Sequence, residues 1–186
     1  SLAGKHQLDN AITTLEILGA LQTLGYPVSS DSINKGFQKT IWPGRFTCLC
    51  HTPLFFIDGA HNEAAAICLR ETLESYFPGR RLIYIMGVFK DKEYEKIAAV
   101  MAPLAKSIHT LTLPDRKRSL PAEMLAEVMQ KYCPPDISIQ SEPDEKTAVE
   151  NTLSEAKEDD IILAFGSLSY LGEIMKTVHH ITINTK

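Results

Sequence analysis

Apolar residues at helical spacing organise the start of the chain. Four of them recur every three residues: Ile12, Leu15, Leu18 and Leu21. This spacing predicts a helix over residues 10–24. The sequence GYP at 25–27 ends it, because glycine favours helix C-termini and proline cannot extend a helix. A second, short helix is expected to start after residues 29–31 (SSD) and to run to about Lys39.

The sequence IWPGR at 41–45 breaks the helical pattern. We therefore expect a two-helix lead-in over residues 1–40 and a main domain over residues 41–186. In the main domain, short apolar runs alternate with helical patterns. The predicted strands cover residues 46–51, 54–58, 82–87, 107–113, 137–140 and 160–165. The predicted helices cover residues 63–77, 93–101, 121–131, 144–157 and 168–177.

This alternation predicts an α/β fold, a Rossmann-like and mainly parallel sheet with helices on both faces. The run at 82–87 is apolar throughout, as expected of a strand that is buried on both sides. The tail at 181–184 is expected to add an edge strand.

Composition and charge exclude several classes of function. The chain carries 19 Lys and Arg against 23 Asp and Glu, a formal net charge of −4. Because nucleic-acid-binding domains normally show a basic stripe, we expect no nucleic-acid partner. No apolar run approaches the ~18–20 residues of a membrane-spanning helix, and the first six residues (SLAGKH) lack the apolar core of a secretory signal. We expect a soluble, cytoplasmic protein with no membrane partner, acting as a monomer.

The four cysteines show neither zinc-ligand spacing nor a disulfide framework. Cys48 and Cys50 are separated by one residue and precede His51. On a regularly alternating strand the two thiols share one face and His51 points to the other. We therefore expect buried, reduced thiols and no metal site.

Ligands of open α/β sheets bind beyond the carboxyl ends of the strands, and the first polar strand end is DGAHN at 58–62. Asp58 can accept hydrogen bonds from a ribose, Gly59 permits a tight turn, and the next helix start presents free N–H groups. A structural role explains the pattern equally well, with Asn62 as the helix cap and His61 as a solvated turn residue.

Two further strand ends carry polar residues. In GVFKDK at 87–92, the lysines suit phosphate or carboxylate, or Asp91 caps a helix among surface lysines. In FGSLS at 165–169, Ser167 binds an anion or caps the last helix. The sequence has no G-x-S-x-G, G-x-G-x-x-G or G-x-x-x-x-G-K-[ST] motif. If the protein uses ATP, the phosphate cradle is not in this chain.

Four segments together resemble the folylpolyglutamate synthase/dihydrofolate synthase family of the Mur ligase superfamily. They are GKHQLDN at 4–10, WPGR at 42–45, DGAHN at 58–62 and GSL at 166–168. The similarity covers the family's C-terminal domain and the segment that leads into it. It implies that an ATPase domain, with a phosphate loop and most Mg²⁺ ligands, precedes Ser1.

The resemblance also implies roles for single residues in binding ATP. Asn10 is expected to hydrogen-bond adenine and His6 to lie against the nucleotide. Arg45 is expected to reach the phosphates and to act in catalysis, and Asp58 to hold the ribose.

For the incoming L-glutamate, the resemblance implies contacts from His61 and Ser167, with His61 also catalytic. These two residues meet only if the predicted strands 54–58 and 160–165 lie near each other. Asp91 and Lys92 form a family-like Asp-Lys pair, but the next residue is Glu93, where the family often has Asp. The role of Lys92 is therefore open.

The implied reaction is ATP-dependent amide formation, in which ATP phosphorylates a carboxylate of folate or dihydropteroate and the amine of glutamate attacks the acyl phosphate. This fragment alone is expected to be inactive. Two alternatives stay open: a Mur-type peptide ligase domain, and a non-catalytic module that binds a nucleotide or an amino acid.

Overall fold

The computed structural model describes residues 2–184 of the chain. Its helices are α1 (His6–Thr23), α2 (Ser30–Lys39), α3 (Glu63–Tyr76), α4 (Tyr94–Met101), α5 (Ala122–Gln130), α6 (Glu145–Glu155) and α7 (Leu171–Asn184). Its strands are β1 (Thr47–His51), β2 (Leu54–Ile57), β3 (Leu82–Gly87), β4 (Ala105–Leu111), β5 (Ser138–Glu142) and β6 (Ile161–Phe165). A short 3-10 helix, Ala102–Leu104, links α4 to β4.

The six strands form one sheet in the order β1-β2-β6-β3-β4-β5. β1 pairs antiparallel with β2, and every other neighbouring pair is parallel. All residues of β3 and β6 are buried, as expected for strands at the centre of a covered sheet. The α/β fold with a mainly parallel sheet is thus confirmed.

Helices cover the sheet on both sides and bury two separate apolar clusters. One cluster includes Leu69 of α3 and Ile97 of α4, packed beside Leu125 of α5. The other includes Val149 of α6 and Ile174 of α7. The sheet therefore presents its carboxyl edge, rather than either face, to ligands.

The two lead-in helices are α1 and α2. α1 starts at His6, four residues before the predicted helix, and none of its residues is buried. α2 starts after Ser29, whose side chain accepts a hydrogen bond from the N–H of Ser32, so the serine cap sets its first turn. Within residues 2–184, no helix is long and apolar enough to cross a membrane.

The expected edge strand at 181–184 is wrong, because these residues form the last turn of α7. Leu171, Ile174 and Val178 of α7 are buried, and Ile181 packs against the same cluster. These positions follow one another at three- and four-residue spacing, so the apolar stripe of the helix simply continues into the tail.

β1 departs from regular alternation. Its pairing with β2 shifts between Cys48, opposite Phe56, and Cys50, opposite Phe55. Because Phe55 and Phe56 point to opposite faces, the two cysteines do so as well. Cys48 is exposed, and its Sγ lies 3.9 Å from His51 Nδ1. The expectation of buried thiols on one face, with His51 on the other, is therefore wrong. Among residues 2–184, no three His, Cys, Asp or Glu side chains are grouped to hold a metal.

Candidate active site

Backbone hydrogen bonds join two of the quoted segments beyond the carboxyl ends of β2 and β6. The N–H of Asp58 donates to the carbonyl of Ala164 over 2.9 Å, which continues the parallel pairing past β2. The N–H of Gly166 donates to the carbonyl of Ala60, also over 2.9 Å. The DGAHN and GSL segments are therefore neighbours, although more than 100 residues of sequence separate them.

The WPGR segment contacts the same edge at a junction formed by Gly44, Gly59 and Leu168. The N–H of Gly59 donates to the carbonyl of Gly44 over 2.7 Å. The side chain of Leu168 covers both glycines, since a Cβ at Gly59 would lie 2.4 Å, and one at Gly44 3.2 Å, from Leu168 Cδ2. Gly44 also has a φ of +81°, which favours glycine. Three of the four segments thus meet at one point.

Asp58 is a buried polar residue of this junction, with 6% of its surface exposed. Its Oδ2 accepts the N–H of Phe46 and its Oδ1 that of Ala60, each over 2.8 Å. Burial raises the pKa of Asp58, while these N–H groups and the nearby charges of Arg45 and His6 oppose the rise. The carboxylate therefore fixes the loop, and each oxygen retains a lone pair for a ligand hydroxyl.

A cavity of about 200 Å³ opens beside Asp58. His6, Arg45 and Asp58 line it, together with Cys68 and Thr72 of α3. The structure therefore brings together three of the four residues expected to bind ATP.

The fourth residue, Asn10, lies on a larger neighbouring cavity of about 560 Å³. Gln7, Phe37 and Trp42 line this cavity as well, so its wall combines amide groups with aromatic rings. Arg45 lines both cavities, and its guanidinium is exposed. The positive charge of Arg45 is therefore within reach of a ligand in either cavity.

The GKHQLDN segment is held against α3 by a close approach at Gly4. Gly4 has a φ of +104°, and a Cβ there would lie 2.8 Å from Thr72 Oγ1. Within the segment, Gln7 Nε2 lies 2.8 Å from His6 Nε2, and Gln7 Oε1 accepts from Asn10 Nδ2 over 3.1 Å. Gln7 therefore positions both predicted nucleotide residues. Sequence reasoning did not single it out, although its three-residue spacing from Asn10 is a signal for such a contact.

His61 and Ser167 follow neighbouring strands, and the Gly166–Ala60 hydrogen bond next to them limits their separation. Covalent dimensions put their Cα atoms within roughly 11 Å of each other. His61 Nδ1 donates to the carbonyl of Gly59 over 2.8 Å, so this contact leaves Nε2 for a ligand. Ser167 is 5% exposed, and its Oγ accepts the N–H of Ser169 over 3.2 Å. Neither residue lines the two cavities above.

Of the alternative structural roles, the contacts show the helix cap at Asn62 but not the one at Ser167. Asn62 is the N-cap of α3, where its Oδ1 accepts the N–H of Ala65 over 2.8 Å. Ser167 lies four residues before α7 and binds within its own turn, so it does not cap that helix directly. The Lys92 ammonium lies 3.7 Å from Asp91 Oδ2.

Residues 44–168 match the protein family described as Mur ligase, glutamate ligase domain. The chain belongs to this family. The matched range contains the Gly44–Gly59–Leu168 junction and ends at its leucine. The matched range therefore includes the carboxyl edge of the sheet.

Similar proteins of known name extend this finding. The chain is 32% identical, over 92% of its length, to a probable bifunctional folylpolyglutamate synthase/dihydropteroate synthase of Halobacterium salinarum, and covers 20% of that protein. It is 29% identical, over 95% of its length, to the dihydrofolate synthase/folylpolyglutamate synthase of Bacillus subtilis, and covers 40% of it. The chain thus spans less than half of either relative.

Solved structures give the same picture. A Mycobacterium tuberculosis folylpolyglutamate synthase complexed with ADP and AMPPCP superposes on 98% of this chain with a TM-score of 0.77 at 27% identity, and the match covers 40% of that protein. A bifunctional folylpolyglutamate synthase/dihydrofolate synthase of Yersinia pestis, complexed with AMPPNP and Mn ion, matches 90% of this chain and 37% of its own, with a TM-score of 0.70 at 25% identity.

Proposed function

We propose that this chain is the C-terminal domain of an ATP-dependent ligase that adds L-glutamate to folate or dihydropteroate. One observation carries the proposal: three of the family-like segments meet at the carboxyl edge of the sheet, and the fourth, at 4–10, shares with two of them the cavities lined by His6, Asn10, Arg45 and Asp58. The similarity to folylpolyglutamate and dihydrofolate synthases supports the folate substrate over a peptide precursor.

The residues present fit a nucleotide. The Asn10 amide offers the donor and acceptor pair that complements an adenine edge, and the Asp58 carboxylate accepts ribose hydroxyls. His6 adds a ring beside them, and the exposed Arg45 guanidinium suits phosphate oxygens. We assign these four residues to ATP.

In the proposed reaction, a carboxylate oxygen of the folate or dihydropteroate takes the γ-phosphoryl group of ATP, and ADP leaves. The glutamate nitrogen then attacks the acyl carbon, phosphate leaves, and the nitrogen loses its proton. Arg45 stabilises the charge that moves onto phosphate oxygens. We assign the Nε2 of His61 to a hydrogen bond with the amine or to accepting its proton, and Ser167 to binding a glutamate carboxylate.

We assign the remainder of the active site to an ATPase domain on the amino-terminal side of residues 1–40. These residues then connect that domain to residues 41–186. Mg²⁺ neutralises phosphate charge in such reactions. Following the family resemblance, we assign most of its ligands to that domain. We further propose that the protein acts as a monomer in the cytoplasm, which agrees with its four free cysteines.

The test uses the full-length protein and measures ADP formation with a folate, L-glutamate and MgATP. We expect Arg45→Ala to lower kcat by roughly 10²–10³, as the loss of a charge-stabilising donor does. Arg81→Ala is the matched control, because Arg81 is half exposed at the opposite, amino end of β3 and lies 4.0 Å from Asp136. Equal kcat in both variants would refute the role of Arg45. ADP formation that does not depend on a folate would refute the proposed substrate.

A further inference from the structure

Two loops beyond β3 and β4 are joined to each other and have no part in the proposed chemistry. Phe89 and Ser119 form an antiparallel bridge, and the N–H of Lys90 donates to the carbonyl of Arg118 over 2.8 Å. The N–H of Leu120 donates back to the carbonyl of Val88 over 2.9 Å. The loops therefore form one fixed structure at the carboxyl edge of the sheet.

This structure carries a concentration of positive charge that contrasts with the net charge of −4. We call it the basic ledge, and its members are Lys90, Arg116, Lys117 and Arg118. All four side chains are exposed. Within residues 2–184, Arg118 is the member that has a carboxylate partner, Asp91, at 3.6 Å.

The ledge is held rigidly although it is exposed. The Arg118 guanidinium stacks 4.4 Å above the ring of Phe89. The buried Ser119 fixes the turn behind it, since its Oγ accepts the N–H of Leu113 over 2.7 Å and its N–H donates to the carbonyl of Asp115 over 2.8 Å. A fixed backbone lowers the entropic cost of holding several cations around one anionic ligand.

The basic ledge lies at the same edge of the sheet as the candidate active site, next to the loop that follows β6. The strand order places β6 next to β3 and β3 next to β4. Contact between the first two is direct, because a Cβ at Gly166 would lie 2.4 Å from the carbonyl oxygen of Gly87. Neighbouring strands are ~4.8 Å apart, so the ledge starts roughly 10 Å from Ser167, on the side away from Arg45 and Asp58.

We propose that the basic ledge binds the α-carboxylates of a γ-linked oligoglutamate tail on the folate substrate. This inference rests on the proposed function. Each γ-linked residue adds one free α-carboxylate, and successive carboxylates are separated by roughly 6 Å, since two methylene groups lengthen the extended α-linked repeat. A tail of two or three residues therefore spans from the glutamate site to the ledge. A monoglutamate does not.

The test compares chain lengths in the full-length protein, with Arg116, Lys117 and Arg118 all changed to Gln. The control changes three exposed lysines away from the ledge to Gln, which alters the net charge by the same amount: Lys131 directly after α5, Lys146 in α6 and Lys176 in α7. For the ledge variant we expect the KM for a pteroyl tetraglutamate to rise roughly 5- to 30-fold, as for the loss of three exposed ion pairs. The KM for the monoglutamate, and all values for the control, should stay within twofold of wild type.

A second readout measures binding without turnover, by fluorescence anisotropy of a labelled, γ-linked tetraglutamate. The wild type and the control should bind it, with affinity that falls as salt rises, and the ledge variant should bind it more weakly. Equal KM changes for the two chain lengths would overturn the inference and leave the ligase activity standing. A rise in the KM for ATP instead would show that the ledge holds phosphates. If the wild type ligates glutamate to dihydropteroate but not to the folate monoglutamate, the inference fails and the proposed function stands. If it ligates glutamate to neither, both fail.

Discussion

Gly166→Ala is expected to be strongly destabilising, because two independent costs coincide at this residue. Gly166 has a φ of +109°, a region that side-chain-bearing residues rarely adopt. An added Cβ would lie 2.4 Å from the carbonyl oxygen of Gly87, which is backbone at the centre of the sheet and cannot rotate away. Backbone strain of this kind costs about 1–3 kcal/mol and overpacking a further 1–3 kcal/mol, so the sum is roughly 2–6 kcal/mol.

The measurement is equilibrium unfolding in urea, followed by far-UV circular dichroism, for the wild type and two variants. Gly172→Ala is the matched control, because nothing lies within 4 Å of its Cβ position in α7. It should change the free energy of unfolding by less than about 1 kcal/mol, in the stabilising direction. Gly166→Ala should lower the midpoint at unchanged m-value. A loss below about 0.5 kcal/mol for Gly166→Ala would refute the argument from close approach.

Two further predictions concern a substrate and pH. Ser167→Ala should raise the KM for L-glutamate and leave the KM for ATP nearly unchanged in the full-length protein; equal changes in both would reject the glutamate role. Burial alone would raise the pKa of Asp160, but hydrogen bonds from Lys106 Nζ and the N–H of Lys157 outweigh it and hold that pKa below its usual value. A lowered carboxyl pKa stabilises the fold above the unfolded pKa near ~4, and this stabilisation is lost as the pH falls through the folded pKa. Lys106→Met should therefore lower the free energy of unfolding by up to about 1 kcal/mol at pH 7, and by progressively less in acid. Urea unfolding at several pH values checks this, and a loss that does not depend on pH would contradict it.

Helices and strands that show a local apolar periodicity could be predicted from the sequence. The apolar run at 82–87 and the spacing of Leu69 and Leu73 are sufficient to identify β3 and α3. The polar segments at 58–62 and 166–168 also lie together at the carboxyl edge of the sheet, where the sequence placed them. That β6 lies between β2 and β3 does not follow from such patterns, because strand order depends on how distant segments pack together.

Other features escaped prediction because they join residues that are far apart in sequence. His109 is buried, with Nδ1 2.7 Å from Glu142 and Nε2 3.2 Å from Glu155. Each of these residues alone resembles an ordinary surface residue of its element. The register shift at Cys48 is likewise set by the pairing with β2, so alternation within β1 gives the wrong face.

The contact between Gly59 and Leu168 has a consequence for how sequences of this family vary. A Cβ at position 59 would meet the side chain of Leu168 at 2.4 Å but the nearest backbone atom, the Gly44 carbonyl oxygen, at 3.3 Å. The leucine is more than half exposed and can be shortened without opening the core. Among homologues, alanine at the position of Gly59 should therefore occur together with a small residue at the position of Leu168. The two positions should covary as one pair, whereas Gly166, which meets backbone, should remain glycine whatever its neighbours.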